Sequence, residues 1–200
     1  MISAKATKDT IMEPDIDVLT KEGLTAQGFT GFQTIREMQR GGLPRSVELN
    51  RHGVYAVVSS PDYSPEFIGP DRARRNCNVI RPWSFEKLGE KWVPEVEVLY
   101  FGMAGTRVHR GTLRKCISDL TRHCMGKTTK QGPHRGGELL WQLEGYTDFE
   151  LGYLPTEEPE SEERRLINIF LEKTGKVPFG NRIPRSLVQP STQRRDKAPR

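Results

Sequence analysis

Two short apolar runs constrain the fold of this chain more than any other feature of its sequence. Residues 53–59 read GVYAVVS, and residues 96–102 read VEVLYFG. Alternating β-branched and aromatic residues that end at turn-forming residues indicate a strand in the first run. The second run is almost continuously apolar, which is typical of a strand buried on both faces. The chain therefore needs helices that cover a sheet from both sides.

Two later segments have helical periodicity and can provide this cover. The first spans residues 112–124, and its apolar stripe consists of Leu113, Ile117 and Leu120. The second has Pro159 in its first turn, Thr156 or Ser161 as its cap, and Gly175 at its end. Its apolar face consists of Leu166, Ile167, Phe170 and Leu171.

Weaker patterns complete the element order. Residues 29–43 have helical spacing up to two glycines, and residues 138–143 and 149–154 resemble two short strands. The order strand, strand, helix, strands, helix predicts an α+β fold. We expect a small antiparallel or mixed sheet of three or four strands that is flanked by helices.

Composition shifts divide the chain into three parts. Residues 1–27 are polar and predict a loose N-terminal leader, residues 28–185 form the domain, and residues 186–200 form a disordered basic tail. Within the domain, residues 61–92 are rich in Pro, Arg and Asn and predict a long surface insertion. The insertion is expected to carry whatever specificity the domain has.

Bulk properties limit the functional class and location. The hydrophobic content of 34% and the charged content of 28% predict a soluble globular protein without a membrane span or a secretory signal. Three cysteines are an odd number, which argues against a disulfide framework and favours a cytoplasmic location. The net charge of +5 permits a polyanionic partner such as DNA without requiring one.

Two tyrosines mark the predicted strands. Tyr55 lies in the first strand, and Tyr100 lies near the end of the second, just before Gly102. A strand tyrosine is more often a core residue than a catalytic one. The glycine favours the catalytic alternative, because it opens the backbone where a phosphate could approach.

Charged and polar residues surround these strands in the sequence. Arg110, Arg114 and Lys115 crowd the start of the helix at residues 112–124, where an anion would find unpaired N–H groups. Glu163 shares a helical stripe with apolar residues and is expected to face the core. Such a carboxylate needs either an arginine partner or a hard divalent cation. Asn181 either braces the backbone or reaches toward the site.

Four of these elements resemble the GIY-YIG nuclease superfamily. Gly53-Val54-Tyr55 looks like the GIY element, and Tyr100-Phe101-Gly102 looks like the YIG element. The helix with Glu163 resembles the metal-binding helix of the family, and Pro178-Phe179-Gly180-Asn181 resembles its terminal asparagine motif. The block from His134 to Leu143 resembles a bacterial subgroup of the family. The resemblance extends from Gly28 to Arg182.

The resemblance implies a hydrolase, an endonuclease that cuts DNA with one divalent metal, magnesium or manganese. Glu163 would hold the metal, Tyr55 would help to deprotonate the attacking water, and Tyr100 would orient the water or a phosphate oxygen. Gly102, Lys115 and Asn181 would contact the substrate. His134 would act from elsewhere in the fold, or would be a capping or sheet-edge residue.

The chain departs from the family pattern at the phosphate-binding arginine. Cys116 occupies that position, and Arg114 lies about 200° away around the helix. Arg110 on the preceding loop is the other candidate. Three hypotheses follow: an active endonuclease, a catalytically impaired domain that binds DNA, and an interaction domain whose motif matches are accidental.

Overall fold

The computed structural model describes residues 16–77, 82–105, 111–123 and 137–182. Their centre is a four-stranded sheet in which every neighbouring pair of strands is antiparallel. The strands are β1 (Thr30–Thr34), β2 (Gly53–Val58), β3 (Val98–Ala104) and β4 (Glu150–Pro155). The order across the sheet is β1, β4, β2, β3. The predicted α+β class is confirmed.

Seven α-helices flank the sheet in the described part of the chain. They are α1 (Lys21–Ala26), α2 (Ile35–Gly41), α3 (Pro70–Cys77), α4 (Phe85–Lys91), α5 (Leu113–His123), α6 (Gly137–Leu140) and α7 (Pro159–Thr174). No described helix has the length and hydropathy that crossing a membrane requires.

The central strand β2 is buried at every residue, and each of its faces belongs to a different core cluster. Tyr55 and Val57 face the cluster that α5 completes with Leu113, Ile117 and Leu120. Val54, Ala56 and Val58 face the cluster that α7 completes with Leu166, Ile167 and Phe170. The helical stripes predicted from the sequence therefore cover opposite sides of the sheet.

The last helix begins and ends close to the predicted positions. Pro159 occupies its first turn, and Gly175 ends it in the left-handed conformation with φ of 73°. The N-cap is Glu158, so the expected cap at Thr156 or Ser161 is wrong. Pro159 fixes the start of the helix one residue after Glu158, and the Thr156 hydroxyl accepts a hydrogen bond from the Glu158 N–H instead.

Two segments differ from the sequence expectation because their apolar runs are short. Residues 138–143 were expected to form a strand, but they form the end of α6 and a buried turn. Residues 29–43 contain β1 before α2, and Thr34 starts α2 with a capping box to Glu37. Periodicity alone does not distinguish a short strand from one turn of buried helix.

The described parts of the leader and of the insertion are folded, which the sequence did not predict. Val18 and Leu24 are fully buried, so residues 16–27 belong to the folded domain. The insertion is not a plain surface loop, because it contains α3 and α4 and buries Ile68, Ala73 and Leu88. Sparse apolar residues in polar segments gave no periodic signal for these contacts. The predicted tail, residues 186–200, lies outside the described residues.

Candidate active site

Tyr55 and Tyr100 lie side by side on one face of the sheet. Tyr55 pairs with Gly102 across the β2–β3 ladder, and Tyr100 pairs with Val57. The two tyrosines are therefore diagonal neighbours on the face that α5 covers. Their ring centroids are 6.0 Å apart, and their hydroxyls share a hydrogen bond.

Gly102 makes the close approach of Tyr55 to β3 possible. A Cβ atom at Gly102 would lie 2.4 Å from Cζ and 2.6 Å from the hydroxyl oxygen of Tyr55. The space that the missing side chain leaves is therefore filled by the phenol of Tyr55. Gly180 has the same relation to Tyr100, because a Cβ atom there would lie 2.9 Å from Cδ2 of that ring.

Glu163 approaches the tyrosines from the other helical layer. It lies on α7, which packs on the opposite face of the sheet, beside the edge strand β3. Burial raises the pKa of both tyrosines, and the charge of Glu163 raises the pKa of both further. The carboxylate is thus within electrostatic range of both hydroxyls.

Glu163 is partly buried and has no cation beside it among the described residues. Burial raises the pKa of this carboxyl to about 7, and the nearby charge of Glu160 adds to the rise. Arg165, two residues further along the same helix, forms an ion pair with Glu162 at 2.7 Å. The alternative of a salt bridge from Glu163 to an arginine is therefore not found in the described part of the chain.

Cys116 completes the group of side chains around the tyrosines. Its side chain is half-buried and packs against the core cluster that contains Tyr55 and Tyr100. Burial also raises the pKa of this thiol. Position 116 thus lies against the same core cluster as the two tyrosines.

The two predicted cations on α5 point elsewhere. The Arg114 guanidinium donates hydrogen bonds to Asn50 Oδ1 at 3.1 Å and to the carbonyl oxygens of Pro44 and Ser46 at 3.0 and 3.1 Å. Lys115 is exposed and forms an ion pair with Asp119 at 2.6 Å. Arg110 and His134 lie outside the described residues.

Asn181 braces the edge of the sheet next to Tyr100. Its Oδ1 accepts a hydrogen bond from the Phe101 N–H at 2.9 Å, and its Nδ2 donates one to the Phe101 carbonyl at 2.8 Å. The side chain is buried, so the structure places Asn181 in the bracing role that the sequence left open. The amide supports β3 beside Tyr100 through the backbone of Phe101.

Comparisons of this chain with protein-family models, with curated proteins and with solved structures found no match.

The donor set around Glu163 limits the kind of metal that fits. The described residues contain no cluster of three or more His, Cys, Asp or Glu side chains that could hold a metal ion. A cation at Glu163 would have one protein carboxylate and several waters as ligands. This coordination suits Mg²⁺, which is a hard cation and retains much of its water shell. It does not suit a structural zinc ion, which takes four protein ligands.

A separate cavity of about 760 Å³ lies at the opposite end of β2. It is bordered by α1, by the turn that follows Val58, and by four charged residues, Lys21, Glu22, Glu97 and Glu150. Lys21 and Glu150 form an ion pair across it at 2.5 Å. Neither tyrosine lines this cavity, so its shape gives no information about the tyrosine site.

One feature next to the tyrosines had no sequence signal. Lys91, at the end of the insertion, donates a hydrogen bond to the Asn181 carbonyl at 2.5 Å. The residues are far apart in the chain, and neither belongs to a motif that predicts the contact. Only the closure of the fold brings the insertion against the loop that follows α7.

Proposed function

We propose that this protein is a GIY-YIG-type DNA endonuclease that hydrolyses phosphodiester bonds with one divalent metal, Mg²⁺ or Mn²⁺. The observation that carries the proposal is that Tyr55 and Tyr100 lie side by side on one face of the sheet, with Glu163 within electrostatic range of both. Two hydrogen-bonded phenols and one carboxylate without a cationic partner are the groups that water activation and metal binding need.

The hydroxyls of the tyrosines hold the water and the phosphate in this proposal. In the free protein the high pKa values keep both phenols protonated, and each can then donate a hydrogen bond. Because the charge of Glu163 contributes to those pKa values, neutralising it favours loss of a proton from Tyr55. Tyr55 would release its own proton to bulk water and, as the phenolate, would then take a proton from the attacking water, with Tyr100 as its hydrogen-bond partner.

The metal would be held by Glu163 and would stabilise charge on the phosphate and on the leaving oxygen. The raised pKa of Glu163 supports this role. At neutral pH about half of the carboxyl groups carry a proton, because the pKa is about 7. Glu163 would hold the cation in its ionised form, and its proton would go to solvent.

Cleavage of supercoiled plasmid in the presence of Mg²⁺ tests the proposal. We expect wild-type protein to nick the plasmid, and Tyr55→Phe and Glu163→Gln to lose at least about a hundredfold in rate, as for removal of a catalytic acid or base. Tyr63→Phe and Glu162→Gln are the matched controls. Tyr63 lies in the insertion, and its hydroxyl donates a hydrogen bond to the Glu144 carbonyl. Glu162 forms an ion pair with Arg165. Cleavage that persists in both site variants would refute the assignment of Tyr55 and Glu163 to the active site.

A second candidate function is DNA binding without cleavage, and Cys116 favours it. Position 116, which packs against the cluster that contains the tyrosines, carries a thiol, and Arg114 is held by the segment before β2. A thiol provides none of the paired N–H donors with which arginine binds a phosphate.

Substituting Cys116→Arg separates the two candidates. If the domain is impaired, we expect the variant to gain metal-dependent plasmid cleavage of about tenfold to a thousandfold, the usual size of one charge-stabilising contact. Ser118→Arg on the same helix is the control for added charge. An unchanged rate in an active wild-type protein would mean that another group already holds the phosphate.

A further inference from the structure

Three cations from separate segments meet next to the tyrosine site. Lys91 lies at the end of α4, Lys176 follows the end of α7, and Arg182 lies in the loop beyond it. Lys176 and Arg182 are exposed, and Lys91 is half-buried. We name these residues the Lys91 cluster.

Backbone carbonyls hold the two lysines of the cluster in place. Lys91 Nζ donates to the Asn181 carbonyl at 2.5 Å. Lys176 Nζ donates to the carbonyls of Glu90 and Trp92 at 2.7 and 3.0 Å, at the C-terminal end of α4. Within the described ranges, no carboxylate forms an ion pair with any member of the cluster. The lysines are positioned, but their charge is not neutralised.

The cations act on one another at short range. Burial lowers the pKa of Lys91 to about 8, and the charges of Arg182 and Lys176 contribute to the fall. Like charges that the fold holds together repel each other, and an anion bound between them would remove this cost. The hydrogen bonds to backbone carbonyls leave donors on both lysines for such an anion.

The loop after α7 connects the cluster to the tyrosine site. Gly180 lies against the ring of Tyr100, and Asn181 binds the backbone of Phe101 through its side chain and Lys91 through its carbonyl. Adjacent residues of one loop therefore contact the tyrosine and the cluster. A strand of nucleic acid that reached Tyr100 would have its neighbouring phosphates near these cations.

We infer that the Lys91 cluster binds a backbone phosphate of the DNA strand, next to the phosphate that the tyrosine site would hold. The identity of the polyanion rests on the proposed function. The cluster adds a sequence-independent contact, since ammonium and guanidinium groups bind phosphate oxygens without reading the bases. The proposal also gives the end of the insertion a role, because Lys91 lies there and would contribute to phosphate binding.

The test measures DNA binding separately from cleavage. Glu163→Gln serves as the parent, and its binding to a fluorescein-labelled duplex is followed by anisotropy over a range of salt concentrations. We expect Arg182→Gln to weaken binding by about threefold to tenfold. The magnitude of the slope of log K against log salt should fall by about 0.9, the amount for the loss of one phosphate contact. Lys176→Gln combined with Arg182→Gln should lower the slope by about twice that amount.

The matched control is Arg40→Gln, which removes an exposed arginine at the end of α2. Both substituted cluster residues are exposed, and circular dichroism checks that the variants fold. Cluster variants with the affinity and salt slope of the parent would overturn this inference and leave the proposed function standing. Duplex binding by the parent, with no cleavage by wild-type protein, would instead refute the nuclease proposal alone. A parent that does not bind DNA would refute both.

Discussion

The candidate site depends on positions where a side chain is absent. Tyr55 leans over Gly102, and Tyr100 packs against Gly180, so both phenols occupy space that any other residue would fill. Neither contact needs a left-handed backbone. Close approach, rather than backbone conformation, is therefore the physical reason for glycine at these two positions.

Substituting Gly102→Ala tests this close approach. The new Cβ would overlap the phenol of Tyr55 in the buried layer, so Tyr55 must move and the free energy of unfolding should fall by about 1–3 kcal/mol. Urea denaturation measures the loss, and plasmid cleavage should fall with it. Gly41→Ala is the control, because no atom lies within 4 Å of the Cβ it would add. Equal stability of the two variants would contradict the packing described here.

The raised pKa of Glu163 makes stability depend on pH. In the unfolded chain this carboxyl titrates near 4.5, and in the folded protein near 7. The folded state therefore binds the proton more tightly, and the contribution of Glu163 to stability is lost as pH rises through about 7. With metal removed by a chelator, Glu163→Gln should be more stable than wild type at pH 8, by on the order of 1–3 kcal/mol.

Urea denaturation at pH 4.5 and pH 8 measures this dependence. The stabilisation by Glu163→Gln should nearly vanish at pH 4.5, where the wild-type carboxyl is protonated in the folded protein. Glu162→Gln is the control on the same helix, and its loss of the Arg165 ion pair should not produce this gain. An advantage of Glu163→Gln that is equal at both pH values would refute the assigned titration.

At the scale of elements, the sheet is supported from segments at both ends of the described chain. The loop after α7 adds Asn181 to β3 by two hydrogen bonds, and the Gly180 N–H donates to the Leu99 carbonyl at 2.7 Å. Helix α1 and the residues before it contribute Val18 and Leu24 to the core cluster under α7. The α1 segment therefore helps to support the face of the sheet against which α7, the helix with Glu163, packs.

Substituting Leu24→Ala tests whether α1 is part of the domain. Leu24 is fully buried, so its truncation should cost about 2–5 kcal/mol of unfolding free energy. Thermal and urea denaturation measure the loss. Val47→Ala, at a side chain that is 78% exposed, is the control and should have little effect. If Leu24→Ala lowers the unfolding free energy by less than about 0.5 kcal/mol, the interpretation of this segment as a loose leader would be supported instead.

At the scale of the whole molecule, strong periodicity was a better guide than composition. The long apolar stripes of α5 and α7 and the apolar runs of β2 and β3 predicted four elements and the α+β class. Short runs were ambiguous, so α6 was expected as a strand and β1 was missed. Polar composition concealed α1, α3 and α4, because a few buried residues are enough to anchor a short helix.

The residues of the candidate site were also predicted with unequal success. Tyr55, Tyr100 and Glu163 were named from the sequence; the fold places the two tyrosines side by side, with Glu163 within electrostatic range of both. Arg114 and Lys115 were also named, but local hydrogen bonds and an ion pair hold them away from the tyrosines. Their direction depends on neighbouring loops, which helical spacing does not describe.

The sequence by itself determined the buried faces of β2, β3, α5 and α7, because period-2 and period-3.6 patterns are local properties of the chain. Only the tertiary structure decided which charges lack partners. Glu163 has no cation beside it, and the Lys91 cluster has no carboxylate within the described residues, because these groups come from segments that meet only in the folded protein. Electrostatic energy depends on distance through space, and sequence separation does not give that distance.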